Sequence, residues 1–299
     1  MKAFSEMCLS ILIVLFLTSG GLYAQGSAKA SYNKGLEHAV HSEFKKAKAE
    51  FDNALKLDPF SSAVVLGLET IEDTLEKKIK AQSAIELFKG VSNENKGQYG
   101  QAIKDYNKAI EIDPAFAQAY SSRGVIYYSM DQYDQAISDY NKAIEINPNH
   151  AVFYSNRGLA YEKKGQYDQA ISDYNKAIEI NPKYPVSYSN RGLAYWMKGQ
   201  YDRAISDYDK AIEMNPKDAD VYYNRGLAND RKGRFDEAIS DYSEAIEINP
   251  AYADAYNNRG FIYLVKSGDM VKGCADWKKA CELGLCNNYN YAKKKGDCQ

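Results

Sequence analysis

QYDQAISDYNKAIEINP occupies residues 132–148 and returns letter for letter at 166–182. QYDRAISDYDKAIEMNP (200–216) and RFDEAISDYSEAIEINP (234–250) follow at the same offset of 34 residues, and QYGQAIKDYNKAIEIDP (98–114) precedes at that offset. A fixed period in this range means stacked units, each burying its apolar face against the next. The units run 83–116, 117–150, 151–184, 185–218 and 219–252, followed by a divergent unit, 253–287, with one residue inserted.

In the unit 151–184, Tyr154, Gly158 and Tyr161 stand at i, i+4 and i+7, one face of a helix. Ala170, Ile171, Tyr174, Ala177 and Ile178 mark one face of a second helix. Gly165 falls at the turn, and Asn181-Pro182 ends the second helix because proline cannot continue one. Gly158, Ala170 and Ala177 are small where helices approach. Tyr154, Tyr161, Tyr167 and Tyr174 fill the remaining space, so the large tyrosine count reads as packing and not as a stacking platform for bases or a cofactor.

The aromatic-x-x-x-Gly-x-x-Tyr of the first helix, the Ala-x-x-x-Tyr-x-x-Ala of the second and the closing proline resemble the tetratricopeptide repeat, over roughly 28–61 and 83–287. The resemblance implies an all-α fold: a right-handed superhelical solenoid of helix–turn–helix repeats, with a concave groove used mostly for protein–protein contact. One departure stands out. Family units usually carry leucine before the first-helix glycine, where this chain has Arg123, Arg157, Arg191, Arg225 and Arg259. Asp139, Asp173, Asp207 and Asp241 follow sixteen residues on, and Asp276 seventeen on in the last unit; Lys34 with Glu50 and Lys89 with Asp105 keep the charges in the weaker units. A pairing repeated in every unit is architectural, since buried charge is tolerated when paired and hydrogen-bonded. The partner acids would also cancel the field that a row of arginines needs to hold nucleic acid.

Outside the regular units, residues 1–24 read as a signal peptide. Lys2 is followed by the apolar run CLSILIVLFL (8–17), too short to span a bilayer comfortably, and Tyr23-Ala24 offers a cleavage site before Gln25. The chain is therefore expected to be exported, periplasmic or secreted, with an uncleaved anchor as the alternative and the only membrane attachment anticipated. Residues 28–61 form a degenerate repeat. His38 and His41 stand i, i+3 on its first helix, but no third ligand is near, so they read as solvated residues and no metal is expected. Residues 62–82 are extra. Val64, Leu68, Ile71, Leu75 and Ile79 make a stripe of period near 3.5, fitting either one long helix from 62 to about 95 or two helices. That stripe packs on the end of the solenoid or serves dimerisation. Residues 288–299 read as a polar capping helix and tail, which solenoids need at their ends.

Cys274, Cys281, Cys286 and Cys298 all lie in the last segment, and an exported chain with an even count suggests disulfides. Three pairings are open. Cys274 and Cys281 on one helix would stand about 10 Å apart along its axis, beyond disulfide reach. If the last repeat helix and the cap form an antiparallel hairpin turning near Gly284, the pairs are Cys274–Cys298 and Cys281–Cys286.

No glycine-rich phosphate loop, GxSxG or HExxH is present, so the chain does not read as an enzyme and calls for no cofactor. Formal net charge is −2, which gives no support to a nucleic-acid role. The expected function is an interaction scaffold for a protein or peptide segment; the alternative is a carbohydrate- or cell-wall-binding solenoid. Each first helix has a second face that its own hairpin does not need, and the resemblance identifies it with the concave wall. It carries Val152, Ser155, Asn156, Leu159 and Glu162, then Val186, Asn190, Leu193, Trp196 and Met197, then Tyr223, Asn224 and Leu227, then Asn258 and Phe261. Asn156, Asn190, Asn224 and Asn258 make a ladder suited to clamping a peptide backbone, because a carboxamide both donates and accepts.

Overall fold

A computed structural model describes residues 24–59 and 61–298, and the predicted signal segment up to residue 23 lies outside them. The chain divides into two compact units, one ending at Pro182 and one beginning at Lys183. The first holds α1 (Ala24–Val40), α2 (Phe44–Leu57), α3 (Ser62–Leu75), α4 (Ala81–Asn95), α5 (Tyr99–Ile112), α6 (Ala117–Ser129), α7 (Tyr133–Ile146), α8 (Ala151–Lys163) and α9 (Tyr167–Ile180). The second holds α10 (Pro185–Met197), α11 (Tyr201–Met214), α12 (Ala219–Arg231), α13 (Phe235–Ile248), α14 (Ala253–Phe261), a π-helical turn (Ile262–Lys266), α15 (Met270–Glu282) and α16 (Asn287–Lys295). Among the described residues there is no strand.

Each hairpin closes on one contact. The second-helix aromatic lies flat on the first-helix glycine: a Cβ at Gly158 would meet the Tyr174 ring at 2.7 Å, and one at Gly192 would meet Tyr208 at 2.8 Å. Tyr106, Tyr140, Tyr174, Tyr208 and Tyr242 are thereby fully buried, flanked by alanines that are also buried. The turn between helices adopts a left-handed backbone, at Gly165 with φ 72° and at Gly199 with φ 71°. Glycine accepts that conformation without steric cost. The second helix ends where Asn147, Asn215 and Asn249 stand before proline; each side chain accepts from the backbone N–H two residues on, an Asx turn.

Within each unit, an arginine of one repeat locks it to the repeat before. Arg157 Nε and Nη2 donate to the two carboxylate oxygens of Asp173 at 2.8 and 2.6 Å, while Nη1 donates to Asn141 Oδ1 of the preceding repeat at 2.6 Å. Arg123 does the same to Asp139 and Asn107, Arg225 to Asp241 and Asp209, and Arg259 to Asp276 and Ser243. Arg191 holds Asp207 through the same fork. Tyrosines three before and four after stack on the guanidinium, with Tyr154 and Tyr161 5.6 and 5.9 Å from Arg157. Lys34 meets Glu50 at 2.5 Å as expected. Lys89 does not meet Asp105: it pairs with Glu86, one turn back at 2.9 Å, and Asp105 accepts from Asn93 and Gln101. Glu86, one turn back on the same helix, is the nearer acid and captures Lys89.

Residues 62–95 form two helices, not one. The chain breaks at 76–80, where Lys77 has φ 60°. Helix α3 takes the place beside α2 that the first helix of the next repeat would occupy, while α1 packs directly on α4. Val64, Leu68 and Ile71 are buried in the cluster that contains Phe51 and Phe88, so this part of the stripe is covered within its own unit and is not left for a second copy. Leu75 is exposed. The far side of α3 reaches onward: Leu66 packs with Ala117, Ala143 and Phe153, and Glu69 meets the buried His150 at 2.6 Å.

The residue inserted in the last repeat is absorbed by the π-turn Ile262–Lys266. Past it, Trp277 replaces the tyrosine wedge and donates from Nε1 to the Asn257 carbonyl at 3.0 Å.

Candidate functional site: the second face of the first helices

The residues predicted for the groove fall on both units. In the first, on α8, Val152 and Ser155 are buried, whereas Asn156 and Leu159 are half-buried. In the second, Val186, Leu193, Trp196, Leu227 and Asn258 are half-buried and Phe261 is 39% exposed. Asn190 and Asn224 are more enclosed than a solvent-facing ladder requires, at 3% and 2% exposed. Tyr223 is a wedge, with its ring 4.9 Å from Tyr252 and 5.7 Å from Tyr242, and its hydroxyl accepts from Asn258 Nδ2 at 3.0 Å. The Asn224 carboxamide makes no hydrogen bond with either atom, and neither does the Trp196 indole N–H. One face of the Trp196 ring is approached by Arg231 at 5.9 Å.

Glu162, Trp196 and Asp230, on the predicted second face, belong to a column that the sequence reading did not recognise as one. Glu94, Tyr128, Glu162, Trp196 and Asp230 occupy one repeat position, 34 residues apart. The buried tyrosines of the hairpins point their hydroxyls at it: Tyr106 donates to Glu94 at 2.7 Å and Tyr174 to Glu162 at 3.3 Å. Burial raises the carboxyls of Glu94 and Asp230 above their ordinary range and lifts Glu162 to about 7, against the smaller opposing effect of the Tyr174 hydroxyl. Near neutral pH, Glu162 can accept or donate. The column spacing was the signal that would have found this row, since its chemistry changes from repeat to repeat while its place does not.

No group of three or more histidine, cysteine, aspartate or glutamate residues converges to hold a metal among the described residues. His38 bonds Glu43 at 2.6 Å and His41 bonds the Glu37 carbonyl at 2.8 Å, so the pair is occupied locally. At the C-terminal end, disulfides join Cys274 to Cys298 and Cys281 to Cys286, with Cα atoms 5.5 and 3.9 Å apart.

Tetratricopeptide-repeat models match residues 95–131 and 163–199, 117–150, 139–172 and 242–294, and 189–260, which together run without a gap from 95 to 294. The chain is a tetratricopeptide-repeat protein. Among solved structures it is similar to MamA, at 29% identity over 55% of this chain and 96% of that one, with a TM-score of 0.50. It is also similar to YrrB, described as a tetratricopeptide-repeat protein with an unusual peptide-binding site, at 25% identity over 64% of this chain and 97% of that one, with a TM-score of 0.52. PilF of Pseudomonas aeruginosa shares the fold, at 18% identity over 72% and 97% of the two chains and a TM-score of 0.64. No curated protein matches the chain. Tetratricopeptide repeats are a scaffold suited to protein–protein interaction.

Proposed function

We propose that this protein is an exported, non-catalytic scaffold that holds an extended segment of another protein against the second face of its first helices. One observation carries the reading. Val186, Leu193, Trp196 and Leu227, all on the second faces of their first helices, stay only half-buried within the second unit. An extended peptide supplies apolar side chains to cover that wall. The likeness to YrrB supports a peptide as the ligand class. The apolar run at 8–17 and the two disulfides support export, to a periplasm or beyond. No helix among the described residues is long and apolar enough to cross a membrane.

A displayed random-peptide library selected against the processed chain tests the reading. Selected peptides should carry apolar residues, and Leu193→Ala with Trp196→Ala should weaken their binding by about tenfold or more, some 1.4 kcal/mol, at unchanged helicity. Peptide capture that ignores this pair of changes would remove the second face as the binding surface. Capture of glycans in place of peptides would favour the carbohydrate alternative.

A further inference from the structure

The turn between the two helices of a repeat is polar in the regular units: KKGQY at 163–167 and RKGRF at 231–235. In the last repeat the corresponding stretch is VKSGDMV, 265–271. The π-turn carries it, and its apolar side chains stand in solvent: Val265 is 51% exposed, Met270 43% and Val271 82%, with Phe261 at 39% one turn back. Monomeric proteins leave single apolar side chains exposed routinely, but a group of them at one tip marks an interaction site.

The charge around this tip is what names its partner. Lys266 and Lys272 flank it directly, Lys272 paired with Asp269 of the tip at 3.1 Å. The Cys274–Cys298 disulfide ties the chain after α16 to α15, and Lys293, Lys294 and Lys295 stand exposed just before Cys298. Trp277, Ala292 and Cys298 pack with Leu264 and Cys274 and fix that arrangement. Between 262 and 298 lysines outnumber acidic residues seven to four, and one of those acids, Asp276, is held by Arg259. The formal charge of −2 for the whole chain conceals this basic end.

We infer that the tip of the last repeat docks on an anionic lipid surface, with Val265, Met270 and Val271 entering the headgroup region and the surrounding lysines meeting lipid phosphates. Short apolar side chains ringed by lysines gain from both the transfer of apolar area and the surface potential of an anionic leaflet. A protein partner of ordinary polarity would use the apolar tip but not the excess of lysines in this segment.

The test is co-sedimentation of the chain, as processed by its native host, with phosphatidylglycerol-containing vesicles and with pure phosphatidylcholine vesicles. Wild type should bind the anionic vesicles and release with rising salt. Val265→Asp with Val271→Asp, both at exposed positions, should reduce binding by at least about tenfold, and so should Lys293→Gln with Lys294→Gln and Lys295→Gln. Circular dichroism of the same samples checks that both variants keep their helices. Equal binding to neutral vesicles, or binding that survives both sets of changes, would place the lipid contact elsewhere and overturn the proposal. A concentration-dependent dimer in sedimentation velocity that Val271→Asp abolishes, with no vesicle binding by wild type, would assign the tip to a second copy instead.

Discussion

Arg191 shows how much one residue does in this fold. Its guanidinium grips both oxygens of the buried Asp207 and stacks between Tyr188 and Tyr195, 5.6 and 5.9 Å away. The Asp207 contact raises the arginine pKa further, so the guanidinium stays charged across the working range. Arg191→Leu gives the residue usual in the family yet leaves Asp207 buried without its partner. Urea unfolding should show a loss of about 1–3 kcal/mol, part of it restored by adding Asp207→Asn. A stabilised single variant would mean that the pair contributes nothing. Glu162 gives a pH-dependent prediction. Its folded pKa, raised to about 7 chiefly by burial, lies above the unfolded value. Its contribution to stability is therefore full below the ordinary carboxylate range and is lost as pH rises through about 7. Glu162→Gln, which still accepts from Tyr174, should melt higher than wild type at pH 8 and alike at pH 4. A difference of the same size at both pH values would exclude ionisation as the cause.

At the scale of elements, the hairpins were legible because each column of the repeat states its own purpose: glycine under tyrosine, alanine at the crossing, proline at the end. The stripe on α3 was legible too, but not its fate. Ile71 is fully buried and Leu75 is 40% exposed, though the same periodicity links them. Ile71→Ala should cost about 2–5 kcal/mol, and Leu75→Ala about 0.5 kcal/mol or less. Equal losses in chemical denaturation would show that the whole stripe is covered, by a second copy if the loss depends on protein concentration. The break at 76–80 and the reach of Glu69 to His150 were not legible, since a contact across 81 positions leaves no mark in a 34-residue period. The enclosure of Asn190 and Asn224 was hidden for a related reason: it depends on how closely the next repeat approaches, not on the helix that carries them. The cap was readable as far as its cysteines. By chain entropy, a bridge with a separation of 24 residues contributes about 3 kcal/mol. Cys274→Ser with Cys298→Ser should therefore free α16 for early proteolysis at Lys293–Lys295, while cleavage within α10–α13 stays slow. Unchanged digestion would mean that packing alone holds the cap.

For the whole molecule, the consequence of a repeat fold is that stability is the sum of repeats and the interfaces between neighbours. The locks make this testable within the second unit. Arg225 reaches back to Asp209 at 2.6 Å, and Arg259 occupies the equivalent place one repeat later, reaching back to Ser243 at 2.8 Å. Removing residues 219–252, one full period, sets Arg259 against Asp209 and replaces a hydroxyl acceptor by a carboxylate, which makes a stronger bond to a guanidinium. The bonds special to the deleted repeat leave nearly as a set, because Tyr252 donates to Asp220 at 2.7 Å and both are removed. Across the boundary, Asn258 loses the hydroxyl of Tyr223 and Asp202 loses its ion pair with Lys232. The shortened chain should therefore keep its helicity per residue and both disulfides, and unfold at a lower denaturant concentration because one repeat and one interface are gone. Deleting half a period, 219–235, removes α12 and leaves α13 without its first helix and Asp241 without Arg225. That chain should lose far more than one repeat's helicity. If the two deletions behave alike by circular dichroism, the period is not the unit of stability, and the hairpins are held by contacts more distant than their neighbours.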